Sequence, residues 1–96
     1  MPFYSVILEG SNFPGELIGK SQKVGFYTTR WVQALTPYRA ELKAAKVVWK
    51  DPMLEGLKYP DDLDERAFIR LAEIRKVDKL PKFRGGGATW YVEDDG

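Results

Sequence analysis

Arg30 and Glu41 are the first residues whose types and spacing suit them to chemistry. Arg30 falls on the alternation Val24, Phe26, Thr28, Arg30, Val32, Ala34, so an extended chain aims it toward the core. Glu41 falls inside the wide apolar arc of the helical pattern that follows. A half-buried guanidinium normally has a carboxylate partner, and Glu41 is the expected one. Such a pair either fixes how a helix sits on a sheet or grips a polar ligand. In the second role, with a nearby Tyr, its carboxylate would serve as a base without His. The structural role carries more weight, because charge pairs are more often structural than catalytic.

Two groups of cations could hold anions. Arg39, Lys43, Lys46 and Lys50 are spaced four, three and four residues apart and form one basic stripe on a helix. They suit phosphates or an acidic partner, or else they are the solvated face of an amphipathic helix. Lys82 and Arg84 precede Gly85 and Gly86, where consecutive glycines allow positive φ and present backbone N–H groups. No Gly-Lys-Ser/Thr follows, so this is not a nucleotide-binding P-loop; the plain alternative is a hairpin loop.

The sequence has no Cys and no His. That excludes disulfides, thiolate nucleophiles, Cys-ligated metals, and the Ser-His-Asp and Cys-His triads within this chain. Asp61, Asp62 and Asp64 lie close together, but their spacing is not that of an EF-hand loop. No metal and no cofactor are expected. Net charge is +1, which gives no overall attraction to nucleic acid, but residues 23–50 sum to +5 and residues 51–66 to −4. With no signal peptide and no apolar run long enough to span a bilayer, the expectation is a cytoplasmic chain with no membrane partner.

The elements that position these residues follow from periodicity. Ninety-six residues suit a single domain. Phe3–Glu9 reads as a strand with Tyr4, Val6 and Leu8 on the core face. Gly10–Gln22 reads as a connection whose Phe13, Leu17 and Ile18 tuck over the core. Val24–Ala34 is a second strand, with Tyr27 and Trp31 on its other face. Thr36-Pro37 is a helix start, with Thr36 as N-cap, and the helix stops before Pro52. Asp51–Arg66 reads as an exposed acidic loop, with room for one helical turn. Ala67–Leu80 fits neither period cleanly; a third strand is chosen because two strands and one helix make a poor domain. Ala88–Glu93 is a last short strand, and its Trp90 and Tyr91 must point to opposite faces. The result is an α+β domain: a four-stranded antiparallel sheet, β-β-α-β-β, with one long helix packed on one face.

That architecture leaves the second sheet face without cover. Tyr27, Trp31 and one of Trp90 and Tyr91 lie there, so the expected interface is aromatic and the simplest partner is a second copy of the chain. The leading expectation is a non-enzymatic interaction or regulatory domain acting as a homodimer, with a different protein partner as a variant. The alternatives are nucleic-acid binding through the basic stripe and the Lys82–Gly86 loop, with Trp90 or Tyr91 stacking on bases, and a small ligand binder or enzyme built on Arg30 and Glu41.

Gly25-Phe26-Tyr27-Thr28-Thr29-Arg30-Trp31, the helix opening at Thr36-Pro37, and Gly87-Ala88-Thr89-Trp90-Tyr91 together resemble small uncharacterised bacterial proteins of unknown function. The order strand–strand–helix–strand is similar to small antitoxin-type domains of the HicB kind. The resemblance implies a fold and no activity.

Overall fold

The computed structural model describes residues 1–54, 67–82 and 87–93. Among the described residues four strands and one α-helix carry the fold: β1 (Phe3–Phe13), β2 (Val24–Gln33), α1 (Pro37–Trp49), β3 (Phe68–Val77) and β4 (Thr89–Val92). All pairings are antiparallel and the strand order is β3-β1-β2-β4. This is the expected α+β architecture, with the helix on one face. The ambiguous segment Ala67–Leu80 holds the expected strand, over Phe68–Val77. No helix is long and apolar enough to cross a membrane among the described residues.

The core lies between sheet and helix. Tyr4, Val6 and Leu8 of β1 and Val24, Phe26 and Val32 of β2 are buried there, as alternation requires. The helix meets them with Ala40, Ala44 and Val48, spaced four apart on one face. Two alanines let the helix backbone approach the sheet closely. Thr36 caps it, its hydroxyl accepting from the Arg39 N–H at 3.2 Å, and Pro37 occupies the first turn, where its missing N–H costs nothing.

β1 is longer than the sequence suggests. Gly10, Ser11 and Asn12 read as turn residues, yet the strand continues to Phe13 through a register shift. Asn12 takes the left-handed conformation (φ 64°), and its N–H donates to the Glu93 carboxylate. The Gly and Asn signals mark a bulge inside a strand instead of a turn after it. Past the bulge, Phe13 is fully buried against Phe26 and Trp49, while Leu17 and Ile18 pack on the core from a short 3-10 turn, Gly15–Ile18.

β4 covers only half of β2. It pairs with Val24–Tyr27, and the chain joins it through Gly87, at φ 69°. The direction of the β2 backbone groups follows from two bonds. Ala34 N–H donates to Pro2 O beside β1, whereas Lys23 O accepts from Glu93 N–H beside β4. Odd-numbered residues of β2 therefore face the β4 side. Beyond Tyr27 the outward carbonyls belong to Thr29, Trp31 and Gln33. Thr29 O accepts from Arg30 Nη1 at 3.0 Å, and Gln33 O accepts from Lys43 Nζ at 3.0 Å.

Candidate functional site

Register places one residue of each strand pair at the centre of the helix-free face. Glu9 pairs with Arg70 of β3 on one side and Tyr27 of β2 on the other. Tyr91 of β4 pairs with Gly25, one step along the sheet, and reaches back to the same carboxylate. Arg70 Nε donates to Glu9 Oε1 at 2.7 Å, with Nη2 at 2.5 Å, and the Tyr91 hydroxyl donates to Oε2 at 2.9 Å. The carboxylate is thus gripped by a guanidinium fork and a phenol, a charge-assisted arrangement stronger than neutral bonds. The Tyr27 and Tyr91 rings lie 5.6 Å apart, tilted by 33°.

Gly25 makes this possible. The Tyr91 ring lies directly over it, and a β-carbon there would overlap the ring. The next residue repeats the device on the opposite face, where the Phe26 ring covers Gly10. Both glycines give a cross-strand aromatic its seat.

The phenol of Tyr27, then the Arg70 guanidinium, hold the Glu9 carboxyl below the ordinary carboxylate range, with Tyr91 adding to them. In return Glu9 raises Tyr27 and Arg70. Burial, then the bond to Glu9, pushes Tyr91 up to about 12. A carboxylate held ionised by a guanidinium is a poor general base at neutral pH.

The pH dependence follows in sign. Because the folded Glu9 pKa is depressed, its contribution is present above the unfolded value of about 4.3 and is lost as pH falls through the lower folded value. Because the folded Tyr91 pKa is raised, its contribution is present below about 10 and is lost as pH climbs toward about 12. Urea denaturation as a function of pH should therefore show an acid limb that Glu9→Gln flattens and an alkaline limb that Tyr91→Phe flattens. Limbs unchanged in these variants would remove Glu9 as the centre of the face.

The same face carries Phe3, Ile7 and Trp31, half-buried, with Tyr27 (45% exposed) and Phe68 (48% exposed) more open to solvent. Glu73 and Arg75 sit on the same face as a loose pair at 3.8 Å. Of the expected aromatic residues, Tyr27, Trp31 and Tyr91 are here. Trp90 is not: it faces the helix side and packs on Phe26, ring centroids 5.0 Å apart. Alternation resolves the choice left open in the sequence, because Trp90 pairs with core-facing Phe26 and Tyr91 with Gly25.

Arg30 points toward the core, as expected, but its carboxylate partner is Asp51 rather than Glu41. Arg30 Nη2 lies 2.9 Å from Asp51 Oδ2. Nη1 donates to the Thr28 hydroxyl, to Thr29 O and, at 3.4 Å, to Gly87 O. Thr28 Oγ1 also donates to Gly87 O at 2.7 Å. Asp51 wins because it sits just past the helix C-cap, Lys50, where the chain turns into the short 3-10 turn Pro52–Leu54. Its other oxygen accepts from Met53 N–H at 2.9 Å. Glu41 stays half-buried on the helix. The pair ties helix end, strand and the Gly87 approach to β4 together.

The basic stripe runs along the helix to its C-cap, with Arg39, Lys43, Lys46 and the capping Lys50 all exposed. Lys82 is exposed as well, while Arg84, Gly85 and Gly86, like the aspartates 61, 62 and 64, lie outside the described residues. Among the described residues no group of three or more carboxylates could hold a metal ion. Sequence reasoning missed Glu9, Arg70 and Asp51. An acidic residue ending a β-run of apolar residues was the available signal for Glu9; nothing in the sequence pairs it with Arg70.

Comparison with protein-family models, curated proteins and solved structures finds no match for this chain.

Proposed function

We propose that the chain is a non-enzymatic interaction module that pairs with a second copy of itself through the helix-free sheet face. The observation that carries this reading is the face itself: α1 covers one side of a four-stranded sheet, and the other side carries Tyr27, Phe68, Trp31 and Tyr91 around an ordered Glu9–Arg70 centre. Its composition suits an interface, with aromatics and Arg enriched. Its charges are of both signs, so a two-fold copy can set Arg75 against the Glu73 of the other chain. Strands about 4.8 Å apart and rising about 3.3 Å per residue give ten-residue strands a face of some 500–600 Å² in projection. That is below the roughly 800 Å² of accessible surface each partner buries in a standard interface and matches the lower end of the range.

Nucleic-acid binding is less well supported. Trp90, one of its two stacking side chains, is packed against Phe26, and the Glu9 carboxylate sits at the centre of the face where bases would lie. The ligand site built on Arg30 and Glu41 is also weakened, since both terminal nitrogens of Arg30 are engaged by protein groups.

Light scattering after size exclusion, at tens of micromolar, should give twice the chain mass. Trp31→Glu places an unpaired carboxylate on the face and should weaken the dimer at least about tenfold, leaving the far-ultraviolet circular dichroism unchanged. A monomer for the unsubstituted chain would sink the proposal.

A further inference from the structure

A second site lies on the helix side, away from the aromatic face. A groove of about 340 Å³ runs between α1 and the end of β2. One wall is Arg39, Lys43 and Lys46, and the floor is Ala34, Leu35 and Leu42. Among the described residues no carboxylate lines it. Among the described residues the ion pairs are Arg30–Asp51, Arg70–Glu9 and Arg75–Glu73, so none neutralises the three wall cations. We infer that this groove binds a small amphiphilic anion: a phosphate monoester or carboxylate head on a short alkyl body.

Each half of that chemistry has its own residues. Positions 39, 43 and 46 fall on one helix face and span about 10 Å along the axis, so the cations line one side of a short groove. Lys43 is already positioned, because its ammonium donates to Gln33 O at 3.0 Å and keeps two N–H bonds for a ligand. Leu35 (62% exposed) and Leu42 (44% exposed) give the floor an apolar surface that water covers in the free protein. Covering it with an alkyl chain is favourable in proportion to the area removed from water. The volume lies at the low end of the range of about 300–1,000 Å³ usual for small-molecule sites. Among the described residues no aromatic ring lines the groove, so none of them offers the stacking platform of a single-strand nucleic-acid site.

The test uses three probes on the full ¹⁵N-labelled chain: octyl phosphate below its micelle concentration, inorganic phosphate, and octanol. Octyl phosphate should bind saturably and shift the amides of Leu35, Leu42 and Lys43. It should bind at least about tenfold more tightly than either fragment. Lys43→Gln with Lys46→Gln should weaken it about tenfold, with binding falling as salt rises; Leu42→Ser should weaken octyl phosphate and leave inorganic phosphate unchanged. Inorganic phosphate binding as tightly as octyl phosphate would overturn the inference, since the apolar floor would then have no role. So would a single-stranded oligonucleotide binding more tightly than octyl phosphate at the same sites, or no saturable shift at all. Oligomer mass is read separately, so this result stands or falls apart from the dimer.

Discussion

Asp51→Ala should destabilise the fold by about 3–5 kcal/mol, the range for removing one partner of a buried ion pair. The Arg30 side chain is 5% exposed and that of Asp51 20%. Deleting Asp51 leaves a guanidinium in the core beside Thr28 and Gly87 O, hydrogen-bonded to neutral groups but without a counter-charge. Arg30→Met removes the charge and keeps much of the volume, and leaves Asp51 at a partly solvated position. It should therefore cost clearly less. In the double variant Asp51→Ala should add little to Arg30→Met, because the charge it neutralised is gone. Asp51→Asn separates the two duties of this residue: it can still accept from Met53 N–H but carries no charge. Urea unfolding of the four variants checks the order. A loss of under about 1 kcal/mol for Asp51→Ala would mean that water solvates Arg30, and that the pair is no more than a surface contact.

Phe26→Ala should cost about as much, roughly 3–5 kcal/mol, but the loss will spread differently. Phe26 is fully buried and packs in tilted contacts between Phe13, at 5.1 Å and 59°, and Trp90, at 5.0 Å and 52°. It also covers Gly10. Its removal opens a cavity where β1, β2 and β4 meet, and β4 loses the ring on which Trp90 rests. Hydrogen exchange should accelerate first at Thr89–Val92, ahead of the global loss. Gly10→Ala approaches the same place from the other side. The added methyl collides with the ring and should cost about 1–3 kcal/mol by overpacking. Uniform exchange across all strands in Phe26→Ala would mean that β4 does not depend on this stack.

Much of this fold was legible because its signals are local. The alternation Tyr4, Val6, Leu8 and the alanine-valine face of the helix each follow from one period. Thr36-Pro37 announced the helix start because capping chemistry is confined to a few residues. Position 51 was not legible as a partner of Arg30. A residue after a helix cap can turn in many directions, and only the 3-10 turn that follows fixes this one. Glu9 and Arg70 are 61 positions apart and meet because β3 joins the sheet beside β1. Periodicity says which face a residue takes, not which strand becomes its neighbour. The bulge at Asn12 misled for a related reason, since Gly and Asn permit positive φ equally in a turn and within a strand.

The half-covered edge of β2 has one more consequence. An unpaired strand edge is a template for strand addition, and repeated addition grows an open-ended fibril. Here two of the three outward carbonyls beyond Tyr27, those of Thr29 and Gln33, are already taken by the cations of Arg30 and Lys43. An incoming strand would find donors but few free acceptors, and would meet positive charge at both ends of the gap. The opposite edge of the sheet, β3, carries Arg70, Glu73, Arg75 and Lys76 along its length, charges of the kind that discourage edge pairing. With the β3 edge and the open half of β2 blunted in this way, runaway growth along the sheet is disfavoured, and a two-fold contact through the face, as proposed, would close on itself.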